Sequence, residues 1–183
     1  MTREELEHAI RAACEVAQDD EVYVFGSQAI LGQFPDAPED LRQSAEADIA
    51  PVHRVERVDV IEGSLGLDSA FHRAHGFYVH GISIEAAVLP KGWLKRTRPV
   101  RNPNTNGKTG WCVEAHDLAA SKLVAFRPKD RDFVRVLIVH GLIKPRTLLL
   151  RIGQITKGPR IPDELRARMV EWVRGVVRDL GRG

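Results

Sequence analysis

Residues 22–27 read Val-Tyr-Val-Phe-Gly-Ser, a short run of strand-forming residues that leads directly into a Gly-Ser turn. β-Branched and aromatic residues favour strands, and glycine permits the backbone conformations that a tight turn requires. The preceding segment, 4–18, has apolar residues at helical spacing, and residues 28–31 indicate the start of another helix. The sequence therefore predicts the order helix, strand, Gly-Ser turn, helix.

A second strand is predicted for residues 44–52, where polar and apolar side chains alternate. Glu46 and Asp48 lie two residues apart on it, so their carboxylates project from the same face. Such a pair can bind a hard divalent cation, Mg²⁺ or Mn²⁺, because these ions prefer oxygen ligands. Two alternatives stay open: the pair is the solvated face of an edge strand, and Ser27 is simply a helix N-cap.

The remainder of the chain predicts further extended segments followed by helices. Extended segments are predicted at 77–89 and, as an edge strand, at 111–113, with a helix at 54–65. Everything beyond is predicted to be helical, in the segments 115–126, 130–140, 145–155 and 163–180. A lone Lys122 interrupts the apolar sequence of the first of these helices. Its side chain either extends to solvent or reaches into a cleft.

Composition narrows the class of protein. A chain of 183 residues suits one domain, or a compact core with a helical extension. No apolar run reaches the roughly eighteen residues that cross a membrane, and the charged start does not resemble a signal peptide, so we expect a cytoplasmic protein without membrane contact. Cys14 and Cys112 are too few for a disulfide framework and are expected to be buried, reduced thiols.

The segment 91–108 is locally basic, although the formal net charge of the whole chain is only +2. It contains no acidic residue and six basic ones, which are Lys91, Lys95, Arg96, Arg98, Arg101 and Lys108. Such a segment attracts phosphate groups, whether of a nucleotide or of an RNA strand. The alternative is a solvated basic loop.

Four segments together resemble a known family. They are VFGSQAILG at 24–32, SAEADIAPV at 44–52, VLPKGW at 88–93 and EAHDLAASKLVAFRPKDRDFV at 114–134. A strand, a Gly-Ser turn and then an acid-x-acid pair resemble the nucleotidyltransferase superfamily related to DNA polymerase beta. The fuller set is similar to the DUF6036 nucleotidyltransferases, relatives of the AbiEii abortive-infection toxins and of the mycobacterial toxins that modify transfer RNA.

The resemblance implies an α/β (α+β) fold. Residues 1–113 would form a nucleotidyltransferase core with a small mixed sheet, like that of polymerase beta. Residues 114–183 would form a C-terminal helical bundle, packed on the core so that the active-site cleft lies between them.

The resemblance also implies roles for individual residues. Gly26 and Ser27 would hold a phosphate of a nucleoside triphosphate, and Glu46 and Asp48 would bind the metal ion. A third carboxylate is expected on an adjacent strand. Glu85, within the predicted strand 77–89, is the best positional candidate, with Asp59 in reserve.

The helical half would supply the remaining groups. The resemblance places Lys122 on the triphosphate, with Asp130 also in the site. Arg127, five residues beyond Lys122 and just before Pro128, could reach the same phosphates. Two departures from the family pattern stand out: a longer segment between the Gly-Ser turn and the acidic pair, and Glu rather than the commoner Asp as the first acid.

These features predict an enzyme that transfers a nucleoside monophosphate to RNA, with transfer RNA preferred, or to a protein hydroxyl. The resemblance further implies the toxin of a toxin-antitoxin or abortive-infection system, with a cognate antitoxin protein as partner. A catalytically degenerate module that binds nucleotide or RNA is the principal alternative. A nucleotidyltransferase that acts on a small molecule is a third.

Overall fold

The computed structural model describes residues 1–156 and 161–181, which form two compact units. The first unit comprises 1–87 and 96–114, and the second comprises 88–95 and the chain from Ala115 onward. The segment 88–95, expected in the core with the rest of 1–113, thus belongs with the C-terminal helices. None of the helices described is both long and apolar enough to cross a membrane.

A mixed sheet organises the first unit. In chain order its elements are α1 (Arg3–Ala17), β1 (Glu21–Phe25), β2 (Glu46–Pro51), α2 (Val58–Leu65), α3 (Ala70–His75), β3 (Tyr78–Gly81), β4 (Arg98–Val100) and β5 (Thr109–Cys112). Over the described residues the strand order is β3-β2-β1-β5-β4. β1 is antiparallel to β2 and parallel to β5, whereas β3 runs parallel to β2 and β4 antiparallel to β5. The expectation of a small mixed sheet is confirmed.

The central strands form where the sequence predicts them. On β1, Val22 and Val24 are fully buried, and on β2, Ala47 and Ile49 are fully buried. Because side chains alternate along a strand, Glu46 and Asp48 lie on the opposite face of β2 from Ala47 and Ile49. Burial of the apolar face thus sets the direction in which the acidic pair points.

Three details of the sheet differ from the prediction. β3 ends at Gly81, because the Ser83 side chain accepts a hydrogen bond from the backbone N–H of Glu85 and starts a 3₁₀ turn at Ile84–Ala86. Glu85 is therefore in a turn and exposed, and its predicted place within a strand is wrong. β5 lies between β1 and β4, so it is not the predicted edge strand. The short basic strand β4 forms the edge instead, and its Pro99 cannot donate a ladder hydrogen bond.

The segment after β4 is tied to the first helix. The side-chain amides of Asn102 and Asn104 donate to the buried carboxylate of Glu7, at 2.7 and 2.8 Å. Although burial by itself raises the pKa of Glu7, these bonds and Arg3 outweigh it and lower that pKa. The polar loop at 102–107 is thus an anchored part of the first unit.

The second unit is helical, as predicted. Its helices are α4 (Ala115–Ala125), α5 (Pro128–Val139), α6 (Pro145–Gln154) and α7 (Asp163–Leu180). Fully buried side chains from all four form its core, among them Leu118, Leu137, Leu148, Met169 and Val173. The segment 88–95 joins this unit through a hydrogen bond from Lys91 N–H to the Gln154 carbonyl, at 2.9 Å.

Both cysteines are buried free thiols, as predicted. Burial raises the pKa of Cys14 and of Cys112 to about 12. Neither thiol is therefore ionised at neutral pH, and we assign both a packing role.

Candidate metal and nucleotide site

The Gly-Ser turn and the acidic strand meet at Gly26. This residue has φ +66° and ψ −167°, a region that is essentially restricted to glycine. A Cβ atom on Gly26 would lie 1.8 Å from Oδ2 of Asp48, which is closer than any real contact. Glycine is therefore required both for the backbone conformation of the turn and for the position of the Asp48 carboxylate.

The acidic pair has a third member that comes from β3. Pairing of β2 with β3 places Asp48 opposite His80 and Glu46 opposite Tyr78. The Nδ1 atom of His80 lies 2.9 Å from Oδ1 of Asp48 and 3.6 Å from Oε1 of Glu46. Tyr78 donates its hydroxyl hydrogen to Oε2 of Glu46, at 2.6 Å. Among the described residues, Glu46, Asp48 and His80 are the group whose donor atoms lie close enough together for one metal ion.

The protonation of this cluster reflects burial first and the crowding of like charges second. Burial, together with the nearby negative charge of Glu46, raises the pKa of Asp48 to about 6. Burial lowers the pKa of His80, but the hydrogen bond with Asp48 and the charges of both carboxylates outweigh it and raise that pKa. The hydrogen bond to Glu46, and burial, raise the pKa of Tyr78 to about 12. Negative charge concentrated in this way favours a bound cation.

Ser27 and Gln28 follow the turn. Ser27 begins a helix of the 3₁₀ type, Ser27–Gly32, where the sequence predicted the start of a helix. Its side chain does not act as the N-cap of this helix, because the cap position belongs to Gly26. The Gln28 side chain is fully buried, and neither its amide nitrogen nor its amide oxygen has a hydrogen-bond partner within the part of the chain that the structure describes.

The second unit gathers the other predicted site residues around Asp130. The Asp130 carboxylate is 1% exposed and accepts two hydrogen bonds from Arg127, Nε at 2.6 Å and Nη2 at 3.2 Å. Lys122 Nζ lies 3.5 Å from the same carboxylate and 4.6 Å from the centre of the Phe133 ring. Lys122 therefore points inward within its unit rather than out to solvent, with 13% of its side chain exposed.

Residues 4–172 match the family model described as a nucleotidyltransferase of unknown function, DUF6036. The chain belongs to the DUF6036 family. The match covers nearly the whole chain and includes every residue of both clusters. Searches of curated proteins and of solved structures returned no significant match. The family membership supports nucleotidyl transfer in general but names no acceptor.

In this DUF6036 protein the structure brings together some of the predicted residues. Gly26, Glu46 and Asp48 are in contact or close proximity in the first unit, and Lys122, Arg127 and Asp130 are close together in the second. The two candidates for a third carboxylate, Glu85 and Asp59, are both exposed and outside the Glu46–Asp48 cluster. Asp130 holds two cationic side chains, so its carboxylate positions Lys122 and Arg127.

Sequence reasoning missed His80. Its proximity to Asp48 depends on the pairing of β2 with β3, two strands that are separated by α2 and α3 along the chain. The only local signal is that Tyr78 and His80 are polar residues at period two on a predicted strand. Alternation of this kind matches that of Glu46 and Asp48 and indicates a shared polar face.

The second unit of this DUF6036 protein also contains an open cavity of about 510 Å³. It is lined by Phe126, Arg131, Arg168, Glu171, Trp172 and Arg178. The guanidinium carbon of Arg168 lies 4.1 Å from the centre of the Phe126 ring, and Glu171 forms an ion pair with Arg178. Arginines beside aromatic rings are common where proteins bind single-stranded nucleic acid.

The basic residues of segment 91–108 have different surroundings. Arg98 and Arg101, in the first unit, are exposed. Lys108 Nζ, in contrast, lies 2.6 Å from Oδ1 of Asp20 and 3.7 Å from Oε1 of Glu15. In the first unit the exposed basic residues of this segment are therefore Arg98 and Arg101, whereas Lys108 is paired with acidic side chains.

Proposed function

We propose that the protein transfers a nucleoside monophosphate from a nucleoside triphosphate to a hydroxyl group of RNA. We also propose that its first unit has a polymerase beta-like core. The observation that carries the proposal is the Glu46–Asp48–His80 cluster, held against Gly26 in a chain of a nucleotidyltransferase family. In the reaction the acceptor oxygen forms a bond to the α-phosphorus. The bond between that phosphorus and the bridging oxygen to the β-phosphate breaks, and pyrophosphate leaves.

The donor set fits a divalent cation. Glu46 and Asp48 supply carboxylate oxygens from one strand face, and their mutual repulsion is relieved when a cation lies between them. When bound, the ion would neutralise phosphate charge and polarise the α-phosphoryl group. Mg²⁺ and Mn²⁺ are the candidate ions.

The residues of the chain have separate tasks in this proposal. Gly26 leaves space for Asp48 and lets the turn backbone approach the phosphates. Tyr78 fixes the orientation of the Glu46 carboxylate through its hydroxyl. The acceptor hydroxyl loses its proton to a carboxylate oxygen of the Glu46–Asp48 pair that does not hold the ion. Contacts of Ser27, Lys122 and Arg127 with the triphosphate stay predictions.

RNA is the acceptor that the surface chemistry favours. Arg98 and Arg101 are exposed in the first unit, and in the cavity of the second unit Arg131 and Arg168 lie against the ring of Phe126. Both features suit a phosphate backbone with unpaired bases. Among RNAs we favour transfer RNA as the acceptor, on the basis of the family resemblance. The proposed toxin role and the proposed antitoxin partner rest on the same resemblance. Growth arrest on expression, relieved by a neighbouring gene product, would test that role.

To test this proposal, the protein is incubated with one of the four α-labelled ribonucleoside triphosphates and with Mg²⁺ or Mn²⁺. The acceptor in each reaction is purified transfer RNA or a protein extract. We expect label on RNA with wild type, and at least a hundredfold less with Asp48→Asn, because a metal ligand has been lost. Glu85→Gln is the matched control, since this exposed carboxylate in a turn should be dispensable. Triphosphate binding without any labelled product would instead support the degenerate module.

A further inference from the structure

The position of His80 suggests a more specific metal site than a pair of carboxylates. One donor atom from each of Glu46, Asp48 and His80 lies within 4.8 Å of the other two. The Nδ1 atom of His80 is 2.9 Å from Asp48 Oδ1 and 3.6 Å from Glu46 Oε1. Two ligands at right angles around an ion, with bonds of about 2.1 Å, are separated by about 3 Å. The His80–Asp48 distance matches that spacing, and the His80–Glu46 distance lies between it and the roughly 4.2 Å that separates ligands on opposite sides of such an ion.

We propose that His80 is the third protein ligand of this site, and that the site consequently binds Mn²⁺ more tightly than Mg²⁺. The proposal rests on the proposed function for the presence of a metal at Glu46 and Asp48, and it specifies the ion. Mg²⁺ prefers oxygen ligands throughout, whereas first-row transition metals accept imidazole nitrogen. Mn²⁺ also accepts carboxylate, phosphate and water oxygens, so it suits the mixed donor set.

The competing role for His80 is that of a hydrogen-bond partner that only orients the carboxylates, as groups around metal sites commonly do. Tyr78 has that role on the same strand, two residues away, because its hydroxyl donates to Glu46 at 2.6 Å. Tyr78→Phe therefore removes an orienting hydrogen bond from the same cluster without removing a nitrogen donor. It is the matched control for substitutions of His80.

Pulsed electron paramagnetic resonance on the full chain with one equivalent of Mn²⁺ detects a coordinated nitrogen directly. We expect ¹⁴N modulation from wild type and from Tyr78→Phe, and its loss in His80→Asp and in His80→Asn. The second variant carries no added charge, so the test survives if a third carboxylate prevents folding. Circular dichroism of each variant verifies the fold.

Competition between the two ions gives a second readout. The ratio of Mn²⁺ to Mg²⁺ affinity should exceed one in wild type and fall at least about tenfold in His80→Asp, which replaces nitrogen by oxygen. Absence of ¹⁴N modulation in wild type, its persistence in both His80 variants, or tighter binding of Mg²⁺ would each overturn the proposal. Nitrogen coordination without nucleotidyl transfer would leave this proposal standing and remove the proposed function. Nucleotidyl transfer without nitrogen coupling would overturn this proposal and leave the proposed function standing.

Discussion

Gly26 brings the Gly-Ser turn against Asp48 of β2, and its substitution tests that contact at a single atom. We expect Gly26→Ala to lower transfer activity at least a hundredfold, because the added Cβ occupies the position of Asp48 Oδ2. It should also destabilise the fold by about 2 kcal/mol, since this backbone region is essentially restricted to glycine. Activity assays and denaturant unfolding measure the two effects.

Gly76 provides the comparison. It has φ +75°, yet a Cβ there would meet no atom within 4 Å. Gly76→Ala should cost about 1 kcal/mol of stability through left-handed strain while leaving activity and metal binding unchanged. Equal losses of activity in both variants would show that strain, and not displacement of Asp48, explains the result.

Asp48 should make the metal-free protein less stable as pH rises. Its pKa is about 6 in the folded state against an ordinary value of 3.8, so between these values the folded state binds more protons than the unfolded state. The free energy of unfolding therefore falls with rising pH across this window, by at most about 3 kcal/mol from this group. His80 extends the decline, because its raised pKa contributes stability that is lost as pH rises through the folded value.

Denaturant unfolding between pH 3.5 and 7 checks this, with metal removed by a chelator. The asparagine of Asp48→Asn cannot titrate, so the free energy of unfolding of this variant should lack the part of the decline that Asp48 causes. The free energy of unfolding of wild type minus that of the variant should therefore become more negative toward pH 6. A difference that stays constant over the window would contradict the assignment.

At the scale of elements, helices α4 and α5 are connected through one buried carboxylate. Asp130→Asn leaves Lys122, 13% exposed, beside a neutral partner, and we expect a loss of about 3 kcal/mol in the free energy of unfolding. Arg127→Gln removes the other cation, whose side chain is 59% exposed, and should cost less than Asp130→Asn, because Lys122 still lies beside the carboxylate. Thermal or denaturant unfolding of the two variants measures the contrast. Similar losses would argue against Lys122 as the residue that depends on Asp130.

The elements also show what could be predicted from the sequence. The strands β1 and β2 could be predicted, because β-branched residues and period-two alternation are local signals. The same alternation predicts that Glu46 and Asp48 share a face. The end of β3 could not, since it depends on the Ser83 cap that begins a turn. β4 was missed because three residues, Arg-Pro-Val, carry too little pattern. His80 was missed because strand pairing is non-local.

At the scale of the whole molecule, the formal charge of +2 conceals a local basic surface that we expect to bind RNA. Each phosphate contact contributes about 0.7 to 0.9 to the slope of log affinity against log salt. Arg98→Gln and Arg101→Gln should each make this negative slope shallower by that amount when transfer RNA is the ligand. Lys108→Gln makes the same change in net charge, but Lys108 is paired with Asp20, so its slope should match wild type.

Filter binding of transfer RNA across a range of potassium chloride concentrations measures these slopes. If all three variants lower the slope equally, binding responds to net charge rather than to the exposed arginines. Unchanged slopes for Arg98→Gln and Arg101→Gln would remove the first unit from the proposed RNA surface.

The division into units was only partly visible in the sequence. The change from extended to helical segments near residue 114 is a local signal, and the first unit ends at Glu114. The segment 88–95 precedes that change, and its association with α6 rests on tertiary contacts such as the Lys91–Gln154 hydrogen bond. The residue pattern within the eight residues 88–95 cannot predict such a contact.

In the proposed function, the Glu46–Asp48–His80 cluster supports transfer of a nucleoside monophosphate. Parallel reactions with α-labelled and γ-labelled triphosphate test it most directly, in wild type and Asp48→Asn. We expect wild type to attach the α-label to RNA and to release the γ-label as pyrophosphate, and we expect Asp48→Asn to lose both activities. Attachment of the γ-label, or equal α-label attachment by Asp48→Asn, would contradict it.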